Sequence, residues 1–378
     1  MRIGIDCRTI LSPALGEKAG VGHYTYYLVK YLLKADQRNQ YVLFFDHRVA
    51  STQEFKRKNV KIVRFPYSEY KRYLPFAYSH LFVSQILNRE RLDLFHAPAN
   101  VVPLQYKRPC VVTVHDLAIY QHPEWFPNKQ DFSIKILVPK SLHKAKQIIA
   151  VSQSTANDVH RQFGIEHQRI NVVYEGHEPN PVPKKLAARQ IIKKFHLSED
   201  FFLYIGTLEP RKNIAGLIAA FDTLVSKRPR RFKNVQLVLA GAKGFRFEDN
   251  YLAIQTVKAG SVRYLGYVTP KEKLALLALT KAFVFPSLYE GFGLPVVEAM
   301  ACGTPVITSR VSSLPEVVGK AALLINPNKP QTLMKAIDQC LNQNTRKRYG
   351  RLGKQQAKQF TWQRCVEQTL AVYEKALH

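Results

Sequence analysis

The sequence predicts an α/β protein made of two doubly wound, parallel-sheet domains. Short apolar runs alternate with helical spacings from one end of the 378-residue chain to the other, as expected for parallel strands covered by helices. That length is too great for one core and suits two domains of about 180 residues each. A turn-prone stretch, Pro179-Asn180-Pro181-Val182-Pro183, separates two such alternating series. The expected division is therefore residues 1–182, residues 183–360, and a last helix over 361–378.

In the first series, strands are expected at 3–6, 41–45, 60–63, 92–96, 111–115, 148–152 and 171–174. Helices fall between them, the clearest running from Tyr24 to Leu33, where Tyr24, Tyr27, Leu28, Tyr31 and Leu32 recur at helical spacing. The second series places strands at 201–206, 235–240, 262–265, 282–285, 306–309 and 322–325. A helix after Asn213 carries an apolar face of Ile214, Leu217, Ile218, Phe221 and Leu224, with Asn213 placed to cap it. Thr361 is placed to cap the final helix. Ligands of open parallel sheets bind beyond the carboxyl ends of the strands, so residues there are the site candidates.

Composition narrows the class. With 46% hydrophobic residues the chain is globular, and no run of about eighteen apolar residues marks a membrane span. The N-terminus enters directly as a strand, Arg2-Ile3-Gly4-Ile5-Asp6, which predicts a cytoplasmic protein. Cys7, Cys110, Cys302, Cys340 and Cys365 are odd in number and lack paired spacing, so reduced thiols are expected and no metal site. The net charge of +28 favours anionic partners, whether a nucleotide-sugar, anionic lipid or nucleic acid. Basic clusters stand at 56–58, 227–231 and 346–348. Clustered RNA-binding motifs are missing, so no nucleic acid is expected.

The stretch Glu290-Gly291-Phe292-Gly293-Leu294-Pro295-Val296-Val297-Glu298 sets two carboxylates eight positions apart across a glycine-rich loop that runs into a helix start. Gly291 and Gly293 let the backbone approach a ligand, and Pro295 suits the first helical turn. Free N–H groups at a helix start favour an anion, whereas two carboxylates beside it favour neutral hydroxyls. A nucleotide diphosphate-sugar meets both demands. Arg211 and Lys212, just after a strand ending at Gly206, supply a planar fork and a mobile point charge for a diphosphate. A pair of glycosidase carboxylates is the rival use of Glu290 and Glu298, but it would need no phosphate cradle.

In the first half, Gly20 and Gly22 form a loop expected to end at a helix start, a place for phosphate or the reacting sugar. Dinucleotide binding is excluded there, since the third glycine is missing and position 25 is Thr. His115 and Asp116 end a buried-looking strand, where a polar pair is unexpected, and Asp116 is placed to orient the ring. His96 has a weaker claim, and Ser152 and Gln153 are expected to reach substrate hydroxyls from further out.

The stretch from Glu290 to Glu298 resembles the Glu-x7-Glu element of the retaining GT-B glycosyltransferases of family 4, the group 1 glycosyltransferases. Tyr204-Ile205-Gly206-Thr207-Leu208-Glu209-Pro210-Arg211-Lys212-Asn213, Gly20-Val21-Gly22-His23-Tyr24, Val114-His115-Asp116-Leu117 and Ala150-Val151-Ser152 are similar to further segments of that family, in order. The wording of two of them is most similar to bacterial O-antigen mannosyltransferases. The resemblance implies two domains facing across a cleft, Glu298 on ribose, Glu290 and His115 on the donor sugar, and a last helix returning to the first domain. It implies retaining transfer without a metal or other cofactor, with GDP-mannose as donor and a glycan or lipid-linked acceptor in cell-surface polysaccharide synthesis. Residues 65–78 mix aromatic and basic side chains, which fits peripheral contact with an anionic membrane. A non-catalytic nucleotide-sugar or nucleic-acid binding protein, an inverting transferase and a sugar epimerase remain the alternatives.

Overall fold

A computed structural model describes residues 1–11, 20–65, 81–127, 133–179, 185–257 and 261–378. Two compact units emerge. The first comprises Met1–Tyr120, Asn128–Gly176 and Thr361–His378, and the second comprises Gln121–Pro127 and His177–Phe360. Most of the aromatic, basic stretch at 65–78 and of the proline-rich junction lies outside the described residues.

The first unit holds β1 (Arg2–Asp6), β2 (Gln40–Asp46), β3 (Val60–Phe65), β4 (Leu94–Ala97), β5 (Cys110–Val114), β6 (Gln147–Ala150) and β7 (Ile170–Val172). They form one sheet in the order β3-β2-β1-β4-β5-β6-β7, and every pairing is parallel. β4, β5 and β6 are buried throughout their length and β2 at all but its first residue, so they read as mostly apolar runs rather than alternating ones. Phe44 packs its ring against Phe65 and Phe95, with centroids 5.5 and 6.1 Å apart, at the heart of this core.

The second unit repeats the plan with β8 (Asp200–Ile205), β9 (Val235–Ala240), β10 (Val262–Tyr264), β11 (Ala282–Phe285), β12 (Val306–Ser309) and β13 (Leu323–Ile325). Their order is β10-β9-β8-β11-β12-β13, again parallel. In both sheets the chain leaves the first strand on one side and returns on the other, which is the doubly wound arrangement the apolar runs predict. Every expected strand forms, three with the expected bounds and the others with ends shifted by at most two residues.

Three local expectations change. The first helix begins at Gly20 rather than after Gly22, so it spans Gly20–Ala35 and Gly22 is buried within it. The two glycines are thus a helix entry, Gly20 at φ +67°, and not a free loop. Asn213 stands at the N-cap of Ile214–Lys227, but it is left-handed (φ 55°) and its side chain caps nothing. Its amide instead donates to Pro327 O at 3.4 Å. Ser152, expected near substrate, is fully buried and accepts from Thr155 N at 3.0 Å, capping the Gln153–Phe163 helix. Thr361 does cap Trp362–Lys375, accepting from Arg364 N.

Candidate active site

The chain order of the second sheet reverses between β8 and β11. The loops leaving those two strands flank the point at which ligands of such sheets bind. After β8 come Gly206 and the tight turn Pro210–Lys212, and after β11 comes the loop that ends at Gly293. Leu288 N donates to Arg211 O at 2.8 Å, tying the loops together.

Gly241, at the end of β9, is why Gly206 can sit where it does. Its φ is +140°, and a Cβ there would lie 1.9 Å from Gly206 O, so no side chain fits at position 241.

The charged residues of these two loops meet. Lys212 Nζ donates to Glu290 Oε1 at 2.5 Å, and Arg211 Nη1 to Glu290 Oε2 at 3.4 Å. Arg211 Nε donates to Glu209 Oε1 at 2.5 Å, and the Lys212 ammonium lies 5.2 Å from the centre of the Phe285 ring. Glu290 and Lys212 are only 6% and 7% exposed, so the pair sits in a low-dielectric pocket. Burial pushes the Glu290 carboxyl up, but Lys212 and Arg211 outweigh it and hold the group below the usual carboxylate range. Burial and the nearby Arg211 lower Lys212 in turn, against the pull of Glu290.

The backbone around Glu290 is pinned from below. Glu290 N donates to Ser312 Oγ at 2.9 Å, and Ser313 Oγ stands 3.0 Å from both Glu290 O and Phe292 O. The Phe292 ring is buried and packs edge-on against Phe360 at 5.6 Å.

Gly293 turns the loop into the Leu294–Ala301 helix with φ +100°, a conformation that residues with side chains rarely adopt, and a Cβ there would lie 2.9 Å from the Leu314 side chain. Pro295 lies in the first turn, and Glu298 one turn further in. One oxygen of Glu298 accepts from Lys273 Nζ at 2.6 Å. Lys273 escaped the sequence reading. It lies in Pro270–Leu279, a helix opened by a capping box in which Thr269 and Glu272 exchange hydrogen bonds. The Thr269-Pro270-Lys271-Glu272 signature could have located that helix, but not the neighbour of its next residue.

In the first unit His115 follows β5. One ring nitrogen, Nε2, lies 2.8 Å from Pro98 O, and the other, Nδ1, lies 3.3 Å from Glu175 Oε1. Tyr24 packs edge-on against the ring at 4.7 Å. Asp116 does not orient the imidazole. Its Oδ1 accepts from Ala118 N at 3.1 Å, a local turn, and the orienting carboxylate is Glu175, which sequence reasoning missed. His96 is structural: it is fully buried between Tyr373 Oη (2.7 Å) and Thr113 Oγ1 (2.8 Å). Arg211, Lys212, Glu290, Gly206, Gly291 and Gly293 thus share one pair of loops. Glu298 sits on the adjoining helix, and His115, Asp116, Gly20 and Gly22 belong to the other unit.

The profile described as glycosyl transferases group 1 matches residues 188–359, and that of glycosyltransferase family 4 matches residues 19–180. The O-antigen chain mannosyltransferase B of Escherichia coli is 35% identical over 285 residues, 74% of this chain and 74% of its own. The chain belongs to the group 1 glycosyltransferases. A second E. coli relative of this glycosyltransferase, the serotype-specific mannosyltransferase WbdA, is 33% identical over 65% of this chain, a match that takes up 30% of WbdA. The crystal structure of Anabaena HepE in complex with UDP and glucose superposes with a TM-score of 0.74 at 20% identity, covering 99% of each chain. That likeness shows the fold, and the two doubly wound units are those of the GT-B class.

Proposed function

We propose that this glycosyltransferase moves a hexose, mannose from GDP-mannose, with retention of configuration onto a glycan or lipid-linked acceptor in cell-surface polysaccharide synthesis. The observation that carries this is the contact of Arg211 and Lys212 with Glu290 at the strand reversal, beside the start of the Leu294–Ala301 helix. Positive charge and helix N–H groups at one place suit a diphosphate, and carboxylates next to them suit hydroxyls. The likeness of the chain to O-antigen mannosyltransferases supports mannose as the transferred sugar.

Under this proposal the diphosphate lies against Arg211, Lys212 and the helix start, with Gly206, Gly291 and Leu294 close to it. Ammonium Nζ has three N–H donors, and Glu290 takes one, so Lys212 can hold the carboxylate and a phosphate oxygen together. Glu290 is proposed for the donor sugar and Glu298 for ribose, the latter through the oxygen that Lys273 does not hold. As the glycosidic bond breaks, negative charge grows on the leaving diphosphate, and fixed positive groups stabilise it there. A diphosphate oxygen takes the acceptor proton, so the proposal assigns no protein base and no metal. His115, Asp116, Gly20 and Gly22 are proposed contacts for the reacting sugar and acceptor. A hydroxyl reaching His115 Nδ1 would displace its 3.3 Å contact with Glu175, the longer of the two the ring makes.

Among the described residues no helix is long and apolar enough to cross a membrane. A peripheral enzyme on the cytoplasmic face of the membrane fits a lipid-linked acceptor. The test is transfer by the purified protein from GDP-mannose, GDP-glucose and UDP-glucose to a lipid-extract acceptor, with the anomeric configuration of the product read by NMR. Transfer of α-mannose from GDP-mannose is expected. Preference for a uridine donor would overturn the donor assignment, and a β-linked product would overturn retention.

A further inference from the structure

Two of the three basic clusters lie more than a hundred residues apart in the sequence, and the fold of the second unit joins them. Arg228 Nη1 lies 2.8 Å from Asp338 Oδ2 and Arg231 Nε lies 3.1 Å from Asp338 Oδ1, so the end of Ile214–Lys227 abuts the end of Pro330–Gln339. Arg346 then closes the corner, donating to Cys340 O at 2.9 Å and Leu341 O at 2.7 Å. From that corner the Gln343–Ala357 helix runs on.

The charge on this surface is one-sided. Residues 227–233 and 335–358 hold twelve Lys and Arg against a single acid, Asp338, which is already bridged by two arginines. Along the helix and its end Lys347, Arg351, Lys354 and Lys358 are all exposed. Steps of four, three and four residues put them in one stripe about 16 Å long. Another face of the same helix is sealed: Gly350, Gly353 and Ala357 are buried, and a Cβ on Gly350 would lie 2.5 Å from Gly303 O. The helix is therefore fixed in rotation, and its basic side must face outward.

We propose that this surface, the Gln343–Ala357 helix with the 227–233 corner, docks the protein on an anionic bilayer. The choice of a lipid surface rests on the lipid-linked acceptor proposed above. Charge complementarity carries it: a broad, nearly acid-free field with exposed ammonium and guanidinium groups matches a plane of phosphodiester headgroups. None of the exposed large hydrophobic residues lies in these two segments, so contact is electrostatic and reversible by salt. Nucleic acid is the weaker fit, since the one aromatic on the exposed part of the helix, Tyr349, is partly covered by Arg348 and offers no stacking platform.

The experiment is flotation of the full chain with vesicles of phosphatidylcholine containing 30% phosphatidylglycerol, against pure phosphatidylcholine, at low and high salt. The wild type is expected to float only with the anionic vesicles and to be released by salt. A variant with Lys347, Arg348, Arg351 and Lys358 each changed to Gln should lose at least tenfold in vesicle affinity, with an unchanged melting temperature. Lys56→Gln, Arg57→Gln and Lys58→Gln together, in the first unit, should change it less than twofold. Equal loss in the two variants would overturn the proposal, because net charge alone would then explain binding. Tighter salt-matched binding to a DNA duplex than to the anionic vesicles would also overturn it. Mannosyl transfer to a water-soluble acceptor, measured in the same variants, separates the two proposals: vesicle binding without any transfer would sink the functional one and leave the docking surface standing.

Discussion

Lys212 and Glu290, from loops that leave two adjacent parallel strands, form a buried ion pair at 2.5 Å. Removing charges from water is costly, and a buried pair is strongly destabilised when one partner is lost. Its position at the strand reversal links stability and chemistry in one contact. Glu290→Ala is expected to cost about 3–5 kcal/mol of stability. Turnover should fall on the order of a hundredfold. Adding Lys212→Met should recover most of the stability and none of the turnover. Urea denaturation and initial rates measure both, and a double variant with restored activity would show the pair to be purely structural.

Lys273 and Glu298 are each about one-quarter exposed or less, so their 2.6 Å contact sets the carboxylate in place without a large stability role. Lys273→Ala should raise the donor KM about fivefold, corresponding to about 1 kcal/mol, with kcat unchanged. A donor analogue lacking both ribose hydroxyls should bind the two proteins equally. If the analogue loses affinity in the variant as the natural donor does, Glu298 is not the ribose ligand.

Gly241→Ala meets two obstacles at once, a backbone at φ +140° and a carbonyl oxygen 1.9 Å from the new methyl group. The oxygen belongs to Gly206, so relief must move the loop that carries Arg211 and Lys212. A loss of about 2 kcal/mol or more is expected, together with a fall in turnover. Thermal unfolding with and without nucleotide diphosphate checks it: a variant that keeps full nucleotide stabilisation would show that the loop had not moved.

Burial lowers the His96 pKa from 6.5 to about 3. A group whose folded value lies below its unfolded one binds its proton first in the unfolded chain. Stability should therefore fall as pH drops below about 6.5, by about 1.4 kcal/mol per pH unit from this residue, until pH approaches 3. His96→Asn lowers stability at neutral pH but should flatten that part of the curve. Parallel slopes of stability against pH for the two proteins, between pH 6 and 4.5, would refute the assignment.

Much of this molecule could be read in one dimension because parallel strands buried on both faces leave long apolar runs, and helices between them keep their own spacing. The expected strand ends at Gly206 and Phe285 lie within one residue of those observed, Ile205 and Phe285, and Gly293-Leu294-Pro295 located a helix start. Residue types then pointed to the ligand, because carboxylates, cations and glycines at strand ends have few other uses. The helix entry at Gly20 was set too late, since a glycine reads as a breaker whether it precedes a helix or opens one.

Tertiary structure alone decided which of those residues touch. Nothing local tells that Glu290 is shared by Arg211 and Lys212, that Glu175 rather than the neighbouring Asp116 faces His115, or that Lys273 holds Glu298. Nor could it tell that Asp338 would hold Arg228 and Arg231 beside the corner that Arg346 closes. Periodicity is a property of consecutive residues and survives in the sequence. Contacts at the ends of strands depend on the order in which the sheet is assembled, and that order is set by the packing of the whole domain.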